Sequence, residues 1–189
     1  AGIMTRFHHS KSAFSAIDRV MQLPTERPPN KNFLKRSSLS SDIEFVNVGF
    51  SYPNQQISAL KEVSFKIKEG EKVAILGQTG SGKSTIQKLI MGFYNATKGS
   101  ILLGNTDINQ LDPQGIREKI GYVPQEVSLF SGTIRQNINL GSRLKKDEDT
   151  LAAADIAGVS NFINKHPMGF DLDVGERGAN LSGGQRQRI

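Results

Sequence analysis

The chain has 189 residues, 37% hydrophobic and 22% charged, which suits one globular domain with a core and not a disordered polymer. It has no cysteine, so a disulfide scaffold, a thiolate metal site and a cysteine nucleophile are excluded. The net charge of +6 is uneven: residues 1–41 hold seven Lys/Arg against two Asp/Glu, and residues 42–189 hold seventeen against sixteen. The globular part is therefore not the basic body of a nucleic-acid binder.

In chain order, Ile3, Phe7, Phe14, Ile17 and Met21 recur at spacings of three, four or seven, the stripe of an amphipathic helix over residues 1–23. Residues 24–41, rich in Pro, Ser, Lys and Asn, read as a linker, and their basic charge suits either a solvated segment or one beside an anionic membrane. Alternation over 43–50 and again over 62–68 predicts two strands, with a loop at Tyr52-Pro53-Asn54 between them. Val73-Ala74-Ile75-Leu76 is an unbroken apolar run, the pattern of a strand buried on both faces. A glycine-rich loop follows, and Ser84 to Met91 reads as the helix it feeds. Then come a strand at Ser100–Leu103, a turn at Gly104-Asn105, a short helix from Pro113 and an apolar strand leading to Val123-Pro124-Gln125. Beyond Thr133 the pattern is helical, notably over Asp147–Ala157 and Ser160–His166. No stretch approaches the ~18 apolar residues of a spanning helix, and the N-terminus lacks the order of a signal peptide. The first residue is Ala1 and the last, Ile189, follows directly on a motif, so the expectation is a piece of a longer protein.

The strongest chemical signal is G-Q-T-G-S-G-K-S-T at 77–85. Gly77, Gly80 and Gly82 let the backbone curl so that successive N–H groups point at phosphate oxygens, with Gln78, Thr79 and Ser81 between them. The following helix adds its positive end. Lys83 is spaced to reach β- and γ-phosphates, Ser84 to bind Mg²⁺, and Thr85 to meet the α- or β-phosphate. Such a P-loop between a buried strand and a helix predicts a nucleotide site but does not choose between ATP and GTP.

L-S-G-G-Q at 181–185 would by itself be loop punctuation. Together with the upstream P-loop and Val123-Pro124-Gln125 between them, it resembles the signature of ABC-type ATPases. That resemblance implies an α/β fold: a P-loop NTPase core with an antiparallel β subdomain and a helical subdomain, preceded by the amphipathic helix. It implies ATP and Mg²⁺ as cofactors. Tyr52 resembles the aromatic that stacks on adenine, the alternative being a sheet-edge or core aromatic. Gln125 resembles the glutamine that contacts Mg²⁺ and the attacking water, although Glu126 stands where relatives often carry Asp. Ser182, Gly183 and Gly184 resemble the residues that close over the γ-phosphate held by an opposite subunit, which implies a head-to-tail dimer. Gln185, Arg186 and Arg188 read as the start of the signature helix.

D-V-G-E-R-G at 173–178 resembles the X-loop of ABC exporters, whose acidic residue, Glu176 here, meets the membrane domain. The alternative is a charged surface loop. An exporter reading divides the chain into the cytoplasmic end of a last transmembrane helix (1–23), a linker (24–41) and a partial ATP-binding domain (42–189). It implies a transmembrane domain on the same polypeptide, the cytoplasmic face of a bacterial inner membrane and no nucleic-acid partner. The wording A-I-D-R-V-M-Q-L-P-T-E-R-P-P at 16–29 further resembles fused exporters of type I secretion, with an adaptor, an outer-membrane channel and a protein cargo.

No apolar strand capped by Asp-Glu occurs in the sequence, so the general base of ABC hydrolysis is expected outside it; Lys83 and Gln125 are the catalytic candidates within. His166 reads as a helix-end histidine beside Pro167. Two other readings share these motifs: a soluble ABC ATPase acting as a mechanical clamp, and a module that binds ATP without cleaving it.

Overall fold

The computed structural model describes residues 11, 14–34, 41–141 and 146–189, which fall into two compact units, residues 1–121 and 122–189. Residues 14–21 are helical, and Phe14, Ile17 and Met21 lie exposed on that helix; Ile3 and Phe7 of the predicted stripe lie outside the described residues. Among the described residues no helix is long and apolar enough to cross a membrane.

The first unit is built on a four-stranded antiparallel sheet in the order β2-β1-β3-β4, with β1 Ile43–Phe50, β2 Leu60–Ile67, β3 Lys98–Leu103 and β4 Thr106–Asp107. Simple alternation would turn Val48 and Phe50 away from the face that holds Phe45. A bulge between Phe45 and Val48 in the β1–β2 register inserts the extra residue that brings all three to the core. Gly99, at φ +71°, fits beneath that bulge because a Cβ there would lie 2.2 Å from the Val46 carbonyl. Helix α1, Lys83–Ile90, buries Ile86 and Leu89 in the same core as Phe45, Phe50 and Leu60. Helix α2, Pro113–Arg117, starts on an Asp112 cap with proline in its first turn and buries Ile116.

Two expectations fail here. Val73-Ala74-Ile75-Leu76 is not in a strand: Val73 is 47% exposed and Leu76 91%. Tyr122-Val123 is likewise unpaired, with Val123 70% exposed. The physical reason is common to both. An apolar run becomes a buried strand only when another strand satisfies its backbone, and among the described residues none pairs with either run.

The linker is tied down where it is described. Leu34 forms a parallel bridge with Leu111 and donates to the Gln110 carbonyl at 2.8 Å. Arg27 makes a bidentate ion pair with Asp112 and donates to Gln114 at 2.8 Å, while Glu26 makes a bidentate pair with Arg117. Pro24, Pro28, Phe33, Phe93, Leu111 and Ile116 help to line a cavity of about 510 Å³ beneath this strap.

The second unit is helical: α3 Ile134–Ile138, α4 Asp147–Ala157, α5 Ser160–Ile163 and α6 Gly183–Arg188. Ile134, Ala154, Val159, Ile163, Val174 and Leu181 form its core. Predicted Ser160–His166 shortens to Ser160–Ile163, and His166 closes the turn by accepting the Met168 N–H on Nδ1 at 3.2 Å.

The Glu26 pair makes linker seating sensitive to pH. The hydrogen bonds from Arg117 hold the Glu26 carboxyl below its ordinary value of 4.5, with further help from the charges of Arg117 and Arg27 and opposition from burial and Asp112. A depressed carboxyl contributes its stabilisation above the unfolded value and loses it as pH falls through the folded value. Amide exchange in residues 24–34, corrected for intrinsic rates, is expected to stay flat from neutral pH down to 4.5 and to accelerate below it.

Candidate nucleotide site

In the first unit the chain reaches Gly82 in a left-handed conformation, φ +93°, and enters α1 there. A Cβ on Gly82 would lie 2.6 Å from Leu60 Cδ2 and 2.8 Å from the Ala59 carbonyl, so both φ and space demand glycine. A Cβ on Gly77 would meet Ser81 Oγ at 2.5 Å, whereas Gly80 has open space and needs glycine only for its φ of +82°. Ser81 N–H closes a turn onto the Gln78 carbonyl at 3.2 Å. The cap residue brings no side chain, and the first turn of α1 holds no acid. The N–H groups of Lys83 and Ser84 precede the first intrahelical bonds, donated by Thr85 and Ile86 to Gly82. Uncapped donors at a helix start, with nothing negative to compete, make an anion site.

Lys83 Nζ is drawn onto this loop, donating to the Gly77 and Gln78 carbonyls at 2.7 Å each and to Ser81 Oγ at 3.4 Å. Its charge therefore sits at the mouth of the turn, held by neutral oxygens that a phosphate outcompetes. The Ser84 side chain is exposed beside it. Thr79 lies in the turn itself. Thr85 is buried, and its Oγ1 shares a 3.1 Å hydrogen bond with the Tyr52 hydroxyl. That bond braces the loop helix against Tyr52, a partnership between residues 33 apart that no local pattern announces. Tyr52 is half-buried against the core, edge-on to Phe50 and Tyr94 with centroids at 4.9 and 5.2 Å. Lys88 Nζ stands 5.3 Å from its ring centroid. Lys88 and Tyr94 belong to no sequence motif; the one sequence signal for Lys88 is its helical spacing, one turn past Ser84.

In the second unit Gln125 is exposed in an irregular segment. It shares a cavity of about 370 Å³ with Glu126, Ser128, Gly183 and Arg186. Asn137 stabilises this segment by accepting the Phe130 N–H at 2.8 Å and donating to the Phe130 carbonyl at 2.9 Å. The segment 172–174 is zipped to 132–134: Thr133 bridges Asp173, Ile134 donates to Leu172 and Val174 donates to Gly132. Val174 is fully buried, and Asp173 Oδ1 accepts the Gly175 N–H at 2.6 Å. The 173–178 segment is therefore a bonded structural joint that presents Glu176 at the surface.

Ser182 caps α6 through a reciprocal box with Gln185: Ser182 Oγ accepts the Gln185 N–H at 3.3 Å, and Gln185 Oε1 accepts the Ser182 N–H at 2.8 Å. The Gln185 side chain is thus committed to the cap. Leu181 anchors the motif in the core. Gly183 and Gly184 have no positive φ, and a Cβ on either would meet nothing within 4 Å. Among the described residues nothing requires glycine at these two positions.

The ABC transporter family profile matches residues 60–189. The chain belongs to the ABC transporter family. It is 42% identical over 183 residues to an uncharacterised ABC transporter ATP-binding protein of Bacillus subtilis, covering 97% of this chain and 32% of that protein. It is 39% identical over 191 residues to a putative export ATP-binding/permease protein of Rickettsia bellii, covering 100% of this chain and 33% of the relative. An ABC multidrug transporter of Aspergillus fumigatus is 40% identical over 192 residues, covering 100% of this chain and 24% of that one. Among solved structures, a bacterial Atm1-family ABC exporter with ATP bound superposes with a TM-score of 0.84 at 35% identity, covering 96% of this chain and 32% of that chain. The ABC ATPase fold is thereby established, and the chain corresponds to the ATP-binding domain of that family. It spans about a third of the length of the relatives from Bacillus and Rickettsia.

The contrast among the glycines is testable by replacement with alanine. Gly82→Ala is expected to destabilise the first unit by about 2 kcal/mol or more, from left-handed strain and contact with the Ala59 carbonyl. Gly183→Ala is expected to stay within about 0.5 kcal/mol of the unmodified chain. Urea unfolding followed by circular dichroism distinguishes the two; equal losses would show that the assignment of space around them is wrong.

Proposed function

We propose that this chain is the ATP-binding and ATP-hydrolysing module of a fused exporter, working as a head-to-tail pair in which each nucleotide is held between two copies. The observation that carries this reading is the unexplained openness of Gly183 and Gly184 beside the Ser182 cap. Glycines that the chain itself does not need suit a surface approached closely from outside, and the nucleotide on a second copy is the occupant that the family supplies. In the other half-site Gly77 to Gly82 form the cradle, Lys83 takes the β- and γ-phosphates, and Thr85 supports the turn. Tyr52 stacks on the base. The exposed Ser84 hydroxyl, at the start of an acid-free helix end, suits a Mg²⁺ ligand. When bound, Mg²⁺ neutralises phosphate charge.

The general base is proposed to lie outside the 189 residues, since no strand among the described residues carries an Asp-Glu end. The exporter assignment draws support from the relatives' names. The ordered 173–178 joint with exposed Glu176, and the exposed apolar face on residues 14–21, fit a membrane domain on the same polypeptide and a cytoplasmic-face location. The relatives named above include multidrug and Atm1-family exporters, which favours a small-molecule cargo. The narrower type I secretion reading, with an adaptor, an outer-membrane channel and a protein cargo, rests on the wording of residues 16–29 alone. A soluble clamp accounts for neither the exporter relatives nor the N-terminal helix.

Titration of the chain with a fluorescent ATP analogue tests the phosphate half-site. Lys83→Ala is expected to weaken binding by about 30-fold or more through loss of a charge-assisted contact, with the circular dichroism spectrum unchanged. Retained affinity would refute the assignment of Lys83. Phosphate release by the 189-residue chain with Mg²⁺ and ATP is expected to be negligible; sustained turnover would place a general base within these residues after all.

A further inference from the structure

The C-terminal end of α1 stops in a tightly bonded turn. Gly92, at φ +68°, donates to the Leu89 carbonyl at 3.0 Å, and Phe93 donates to the Lys88 carbonyl at 3.0 Å. These are the paired bonds of a Schellman stop. The carbonyl of the cap residue, Met91, accepts a long hydrogen bond of 3.5 Å from Arg117 Nη1. The Arg117 guanidinium carbon also lies 5.8 Å from the Phe93 ring centroid. A cation here complements the negative end of the helix dipole. The same Nη1 donates to Glu26 Oε1 at 2.7 Å, and Nη2 bonds the other carboxylate oxygen. Arg117 is thus shared between the linker and the end of α1, and Glu26 fixes its orientation.

We propose that Arg117 is a positioning residue for the nucleotide site: through Glu26 it couples the seating of the linker to the helix whose opposite end carries Lys83 and Ser84. The coupling rests on reading the P-loop as an ATP site. Helix α1 has eight residues, about 12 Å of rise, and it is packed along its length by Ile86 and Leu89. So short a helix moves as a rod, and a displacement at Met91 is carried to Lys83. The linker continues from the helical residues 14–21, so a force on that helix reaches Glu26 directly along the chain. The neighbouring pair supplies an internal control. Arg27 fastens the same linker to Asp112 and Gln114, at the start of α2, away from the Met91 carbonyl.

Two measurements on the whole chain test this: amide exchange in residues 24–34, and affinity for a fluorescent ATP analogue. Glu26→Gln, an exposed change that leaves the core untouched, is expected to speed linker exchange and weaken nucleotide affinity, each by about three- to fivefold. Arg27→Gln is expected to speed linker exchange while leaving affinity unchanged. The charge swap Glu26→Arg with Arg117→Glu is expected to bring linker exchange back to within about twofold of the unmodified chain but not affinity, because a carboxylate at position 117 cannot donate to the Met91 carbonyl. Faster exchange with unchanged affinity in Glu26→Gln would overturn the coupling, as would an equal loss of affinity in Arg27→Gln. An unmodified chain that binds no nucleotide would overturn the ATP-site reading itself, a result recognisable before any variant is made.

Discussion

The approach of the Gly82 backbone to the start of β2 is the constraint on which the first unit's site depends. With no side chain at Gly82, α1 begins against Ala59 and Leu60, and its apolar face falls on the core that the bulged β1 has assembled. A helix start placed this way is anchored through packing, because its cap residue contributes no side-chain hydrogen bond. The same economy leaves the opening N–H groups without a partner among the described residues. Structure and chemistry share one cause here: the residue that permits close packing is the residue that leaves the donors available.

Around this start the supporting contacts come from remote parts of the chain. Tyr52 braces Thr85 across 33 residues, and Glu26 meets Arg117 across 91. Neither contact lies within a single motif. The loop itself was legible because its spacing encodes local backbone geometry: glycines for positive φ, lysine and serine at the helix entrance. The braces were not, because they depend on which surfaces the sheet brings together. Tyr52 shows the difference well. Its type and position suggest either an adenine platform or a core aromatic; its ring is half-buried on the core while its hydroxyl serves the loop helix, contacts that hold the ring in place under either reading.

The second unit divides in the same way. The helix over Asp147–Ala157 was readable to the residue, with three acids in its first turn and Gly158 at its end in a left-handed conformation. The signature glycines were readable as a motif, but the sequence did not reveal that Gln185 is committed to capping or that Gly183 and Gly184 are unconstrained from within. The 173–178 segment carried two readings, a specialised loop or a charged surface stretch. Its bridge to Thr133 and the burial of Val174 establish it as a structural joint, and Glu176 owes its fixed place at the surface to that joint.

The elements that departed from expectation have one property in common. Val73-Ala74-Ile75-Leu76 and Tyr122-Val123 are apolar and β-prone, and each immediately precedes a candidate site segment: the glycine-rich loop in one case, Pro124-Gln125 in the other. Periodicity registers the demand for burial in such runs but not the partner that meets it, since a strand is a relation between two segments and its hydrogen bonds belong to both. The sheet of the first unit formed because β1, β2 and β3 supply one another's partners within about 60 residues. The runs at 73–76 and 122–123 have no such neighbour among the described residues, and so the loops they lead into take their order from the side that is built. For the glycine-rich loop that side is α1, held at one end by Gly82 against Leu60 and at the other by Arg117 on Met91.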